Sequence, residues 1–234
     1  NNLEWKLLSG PIGMTISSEG ILNWEQIQLG HNFYEIELSD KIDSVSWRAD
    51  IYVNAKPKIT SKPITTVLEN EQYKYNLNAI DANKISPFDP VSENNILFSI
   101  IDGPSELYIN DNNILIWNTE GLPLGLNMVK ISASDGIEEG IQSFPIFINS
   151  LPIITSSDSI TLQINQNLEF KIKANDKNIN DTLTYHLEPL IGDMIIELNG
   201  GFIKWNPNST DLGINKFRLE VKDGHSNNGT IMPL

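Results

Sequence analysis

Asn113-Ile114-Leu115-Ile116-Trp117 is the stretch that decides the fold, because its pattern occurs three times. It stands earlier as Gly20-Ile21-Leu22-Asn23-Trp24 and later as Gly201-Phe202-Ile203-Lys204-Trp205. A Leu-Gly pair follows each tryptophan: Leu29-Gly30, Leu124-Gly125 and Leu212-Gly213. Beyond each pair an alternating segment runs to an aspartate, at Asp40, Asp135 and Asp223. The tryptophans lie at 24, 117 and 205, spaced by 93 and then 88; the aspartates are spaced by 95 and then 88. Landmarks that return in one order at one period mark a tandem repeat, each copy stacked on the next.

The front of the unit repeats as well. Pro57-Lys58-Ile59-Thr60-Ser61 matches Pro152-Ile153-Ile154-Thr155-Ser156, again 95 apart. Tyr73, Tyr75, Leu77 and Ala79 alternate with polar residues, as do Leu168, Phe170, Ile172 and Ala174. Tyr34, Ile36 and Leu38 correspond to Val129, Ile131 and Ala133, and to Phe217, Leu219 and Val221. Strict period-2 alternation describes a strand with one face in a core and one in water. No long segment carries the 3.6-residue period of a helix. Short strands separated by Gly, Pro, Asn and Asp predict an all-β sandwich. The repeat phase then gives three segments. Residues 1–55 carry only the back half of a unit, 56–150 a complete one, and 151–234 one without its full last strand. The connections Asn54-Ala55-Lys56-Pro57 and Asn149-Ser150-Leu151-Pro152 are only a few residues long, which predicts a stiff rod.

Composition bounds the function. A net charge of -14 over 234 residues argues against nucleic acid, whose phosphates are held by Lys and Arg surfaces. The chain has no cysteine, so disulfides, thiol nucleophiles and thiolate metal sites are excluded together. Its three histidines, His31, His186 and His225, are too scattered for a zinc site. No apolar run approaches the ~20 residues that cross a bilayer, and no signal-peptide pattern opens the sequence. No Ser-His-Asp order, phosphate-binding glycine loop or metal-ligand spacing points to an enzyme.

The succession Pro-x-Ile-Thr-Ser, Ala-x-Asp, Gly-x-Ile-x-Trp, Leu-Gly and Asp-Gly resembles the Ig and dystroglycan-type cadherin-like repeats of large surface proteins. That resemblance implies tandem Ig-like β-sandwiches in an extracellular or cell-surface setting. It implies a structural or adhesive role, with protein partners or self-assembly. The alternative is a module that binds glycan or protein, as an accessory region of a larger secreted enzyme. A fold does not settle that choice, because function lives in sites.

The acidic loops carry the one constellation with a cofactor chemistry. In an Ig-type sandwich the loop after the second strand and the loop before the last lie at one end, facing the preceding unit. They hold Asp81-Ala82-Asn83 and Asp135 in the middle unit, and Asp176-Lys177-Asn178, Asp181 and Asp223 in the last. Glu69-Asn70 resembles the Glu-Asn that cadherins place after their first strand. One joint could therefore gather Glu69, Glu120, Asn149, Asp176, Asn178 and Asp223 around calcium, and the other Glu25, Asn54, Asp81, Asn83 and Asp135. Calcium takes 6–8 oxygen ligands, side-chain amides and carbonyls included. Two departures count against it: the linkers lack the acidic run of cadherins, and Lys56 and Lys177 bring positive charge to the joints. The competing expectation is that these Asp and Asn residues only hydrogen-bond turn backbone. Three N-glycosylation patterns also occur, at Asn180-Asp181-Thr182, Asn208-Ser209-Thr210 and Asn228-Gly229-Thr230.

Overall fold

The computed structural model describes residues 3–83, 96–225 and 229–233, so the Asn228 acceptor lies outside the described residues. Strands follow one another in three groups. The first contains β1 (Glu4–Ser9), β2 (Met14–Ile16), β3 (Leu22–Trp24), β4 (Gly30–Ser39) and β5 (Ser44–Val53). The middle group opens with β6 (Lys58–Ile59), β7 (Thr66–Leu68), β8 (Gln72–Asn76), β9 (Ala79–Ile80) and β10 (Leu97–Asp102). It continues with β11 (Tyr108–Ile109), β12 (Ile114–Asn118), β13 (Gly125–Ser134) and β14 (Glu139–Asn149). The last has β15 (Ile153–Ile154), β16 (Leu168–Lys171), β17 (Ala174–Asn175), β18 (Thr184–Glu188) and β19 (Ile195–Ile196). It ends with β20 (Phe202–Trp205), β21 (Arg218–Lys222) and β22 (Thr230–Pro233). Among the described residues the helical element is one 3-10 turn, Ser209–Asp211, capped by Asn208. No helix among the described residues is long and apolar enough to cross a membrane.

The middle group shows the sandwich most fully. One sheet runs β10-β13-β14-β7 and faces a second running β11-β12-β8. β7 joins β14 in parallel, with Thr66 opposite Phe147 and Leu68 opposite Asn149. The alternating residues of both sheets meet between them: Tyr73, Tyr75, Leu115 and Trp117 from one, Val129, Ile131, Phe144, Ile146 and Ile148 from the other. Leu115, Ile131, Ile146 and Ile148 are wholly buried, and each such side chain contributes about 1.5–3 kcal/mol. The last group repeats the plan with sheets β18-β21-β22 and β16-β20-β19 around Ile203, Trp205, Leu219 and Val221.

The recurrent turn before each tryptophan strand has a backbone cause. Gly20, Asn113 and Gly201 hold φ of 82°, 56° and 66°, the left-handed region that glycine and asparagine enter most readily. At Gly201 a Cβ would also lie 3.0 Å from the Tyr185 ring. The glycine of each Leu-Gly pair also has positive φ, 86°, 110° and 113° at Gly30, Gly125 and Gly213. Gly30 and Gly125 open the long strands β4 and β13, whereas Gly213 lies in a bend ahead of β21.

The three repeat tryptophans differ in burial. Trp117 and Trp205 are buried. Trp24 is half-buried, and its indole N–H donates to the Ile12 carbonyl at 3.1 Å. The pairing explains this. Trp117 lies opposite Tyr73 and Trp205 opposite Leu168, whereas among the described residues β3 is paired with β2 alone. With one flank uncovered, the first group leaves Val45 and Trp47 more than half exposed.

Candidate functional site at the joints

Both connections between groups are closed by the same hardware. At the first, the Asn54 amide at the end of β5 donates to Asp135 Oδ2 at 2.9 Å. Asn83 turns back to the connection: its Oδ1 accepts from the Ala55 N–H at 2.6 Å and its Nδ2 donates to the Val53 carbonyl at 2.9 Å. At the second, Asn149 at the end of β14 donates to Asp223 Oδ2 at 2.7 Å. Asn178 Oδ1 accepts from the Ser150 N–H at 2.8 Å, and its Nδ2 donates to the Ile148 carbonyl at 3.3 Å. The aspartates that open the two loops fix those asparagines, since Asp81 and Asp176 each accept the N–H two residues on, at 2.8 Å. Asx turns of this kind shape the loop while the amide side chain serves the joint. The expectation that Asp and Asn satisfy turn backbone and the expectation that they meet at the joints therefore describe the same residues.

The second joint carries more charge. Asp176, Asp181 and Asp223 bring one carboxylate oxygen each to within 4.8 Å of the others. The amides of the following residues do not neutralise this. Burial raises the Asp176 pKa above its ordinary value, and the charges of Asp223 and Asp181 push it further up against the pull of the Asn178 amide. Asp176 Oδ2 and Asp181 Oδ2 are buried without a hydrogen-bond partner, as is Oδ1 of the wholly buried Asn149. Such groups ordinarily cost about 1–3 kcal/mol each. His225 closes the outer side, with Nε2 3.0 Å from Asp181 Oδ1 and its ring stacked on Phe147 at 4.1 Å. At the first joint the balance runs the other way. Burial opposes ionisation of Asp135, but the Glu138 amide, Asn54, the Ile137 amide and Asp81 together outweigh it and hold the group below its usual range.

The structure sorts the expected ligands. Asn149, Asp176, Asn178 and Asp223 meet at the second joint, and Asn54, Asp81, Asn83 and Asp135 at the first. Glu69 reaches the second joint but is taken by cations and donors of the protein itself. Lys177 Nζ lies 2.8 and 2.9 Å from its two oxygens, and Ser150 Oγ donates at 2.8 Å. Those two contacts hold Glu69 below its ordinary pKa. Glu25 and Glu120 are exposed, and among the described residues neither carboxylate is bonded to a joint. Asp181 stands in the carboxylate triad although only its loop, not its place in the ligand set, followed from the repeat. His225, Phe147 and Ser150 gave no signal in the sequence. Among aromatics outside the repeat pattern, Trp5 packs on Gly20, where a Cβ would lie 2.6 Å from its ring. Trp47 stands edge-on to Tyr34 and Tyr52 packs on His31, at 5.9 and 4.9 Å between ring centres.

Residues 149–232 match the family model of a bacterial Ig domain. No curated protein matches the chain. Among solved structures, the extracellular domains 3–5 of Drosophila OTK superpose with a TM-score of 0.52 at 9% identity, covering 99% of this chain and 82% of that one. Domains EC1-4 of Drosophila N-cadherin give 0.36 at 16% identity, covering 100% of this chain and 66% of that one. An endo-fucoidan hydrolase of glycoside hydrolase family 107 gives 0.29 at 15% identity, and the chain spans 38% of its length. The OTK likeness, at so low an identity, shows the fold alone. The fold is that of tandem Ig-like β-sandwich repeats, and the last of them is similar to the bacterial Ig domains.

Proposed function

We propose that the chain is a non-catalytic, structural or adhesive segment of an extracellular or cell-surface protein, divided into the units 1–55, 56–150 and 151–234. The observation that carries this reading is the repeated joint. Asn54 with Asp135 and Asn149 with Asp223 tie the end of one strand group to a loop of the next. Asn83 and Asn178 tie the connecting backbone to the same loop. Side chains spent on fixing the angle between neighbours serve length and stiffness. Small-angle scattering of residues 1–234 should give one extended, narrow particle; a broad spread of joint angles would sink the reading. Its partners are other proteins or further copies, met through exposed sheet faces. Specific affinity of the middle repeat for a glycan would replace the stalk with the binding-module alternative.

A second reading concerns the joint itself: Asp176, Asp181 and Asp223 hold a calcium ion. The three unpartnered oxygens at the second joint favour it, for they are hard, buried and anionic or amide in type, which is the donor set calcium takes. Calorimetric titration should find one ion per chain, abolished by Asp181→Asn. Coincident melting curves in calcium and in chelator would dispose of the site.

A further inference from the structure

We propose that Lys177 is a cation built into the second joint, which grips Glu69 as a metal ion would and leaves room for one divalent ion only. The inference rests on reading the joint as a stiff connection, and it deepens that reading. Glu69 follows β7 in the middle repeat, and Lys177 lies between the loop residues Asp176 and Asn178 in the last. The two neighbours of Lys177 have other partners, Asp176 in the triad and Asn178 on the connecting backbone. Lys177 turns to Glu69 and meets both oxygens almost equally, at 2.8 and 2.9 Å.

The rest of that corner is built around this contact. Ser150, in the connection between the repeats, donates its hydroxyl to Glu69 Oε1 at 2.8 Å. The Glu69 N–H donates to the Asn149 carbonyl at 2.7 Å. Glu69 is thus fastened to the connection by its backbone and its side chain, and to the last repeat by the lysine. Among the described residues the first joint has no such corner, and alanines, Ala82 and Ala55, stand where Lys177 and Ser150 stand. The lysine that looked adverse to a cation site instead cancels a fourth acid beside the triad. Glu69 is thereby withdrawn from the ligands available to a metal, and the corner closes without one.

Hydrogen exchange of residues 1–234 tests this, read at the Glu69 and Ser150 amides in chelator. Lys177→Met should speed both about two- to fivefold, the range expected for an ion pair this exposed. Lys177→Arg should stay near the parent, because it keeps the charge. The core amides of Ile172 and Leu219 report that the fold is intact. A parent chain that already exchanges at the Met variant's rate in chelator would overturn the proposal, as would an Arg variant as fast as the Met one. In a parallel titration Glu69→Gln should leave calcium affinity unchanged; a loss of tenfold or more would make Glu69 a metal ligand and refute it. The exchange measurement is made without metal, so it stands whether or not calcium binds. A flexible rod in scattering, with the exchange pattern as expected, would sink the stalk reading and spare the lysine.

Discussion

The two joints share their hydrogen-bonding hardware and differ in their charge. In both, an asparagine at a strand end meets an aspartate, and a loop asparagine holds the connecting backbone. The second joint adds Asp181, His225 on Phe147, and the Glu69–Lys177 corner. Position by position, Phe147 stands where the first joint has Tyr52, Ser150 where it has Ala55, and Lys177 where it has Ala82. The amide pattern therefore belongs to the repeat as such. Among the described residues the ionic pattern belongs to one joint, and that is where a response to ions or pH is to be sought.

The largest effect should come from the shared amides. Asn178→Ala strips the Ser150 N–H and the Ile148 carbonyl of their partner, and both residues are almost wholly buried. Two buried backbone groups left unsatisfied cost about 2–4 kcal/mol. Asn83→Ala removes the same two bonds at the first joint, but Ala55 and Val53 are only half-buried and water can replace the side chain. About 1–2 kcal/mol is expected there. Denaturant unfolding of both variants gives the ratio. Equal losses would mean that burial does not separate the joints.

Calcium comes next. An ion bound only by the native chain stabilises it by about 2.7 kcal/mol at a hundredfold excess over Kd. Asp181→Asn should abolish the shift in melting temperature, while Asp135→Asn at the first joint should leave it in place. If Asp135→Asn reduced it as well, the joints would share a cation chemistry and the contrast between them would fail.

Much of this was legible in the sequence, and the division is instructive. The Trp strands, the Leu-Gly pairs and the alternating runs gave the sandwich, because strand faces and left-handed turns are set locally. Asp135 and Asp223 were placed at joints because they recur at the repeat spacing and the loop order of a sandwich is fixed. Lys177 on Glu69 spans 108 positions, and His225 on Phe147 joins two repeats. Neither pair recurs, so no period announces it; each depends on how one sandwich sits on the next. The half-buried state of Trp24 was hidden for a similar reason, since it follows from which strands flank β3 and not from the motif around it.

The smallest effect should be a pH response that separates the joints. Glu69 sits below its ordinary value of 4.5 because Lys177 and then Ser150 bond the charged form. A depressed folded pKa contributes stability that is present above the unfolded value and is lost as pH falls through the folded one. Asp135 is also depressed, by the amides, Asn54 and Asp81, so each joint loses one carboxylate contribution in acid, while the raised Asp176 works the other way at the second joint. Only one of the two losses should depend on the lysine. In Lys177→Met the acid-induced rise in exchange at the Ser150 amide should shrink, because the bond that favoured the carboxylate is gone. At the Ala55 amide, held by Asn83, the rise should be unchanged. With Glu69 a quarter and Lys177 half exposed, the difference should not exceed about 1 kcal/mol. If it were lost from both amides together, acid would be acting on the whole fold, and the charge of the second joint would carry no separate function.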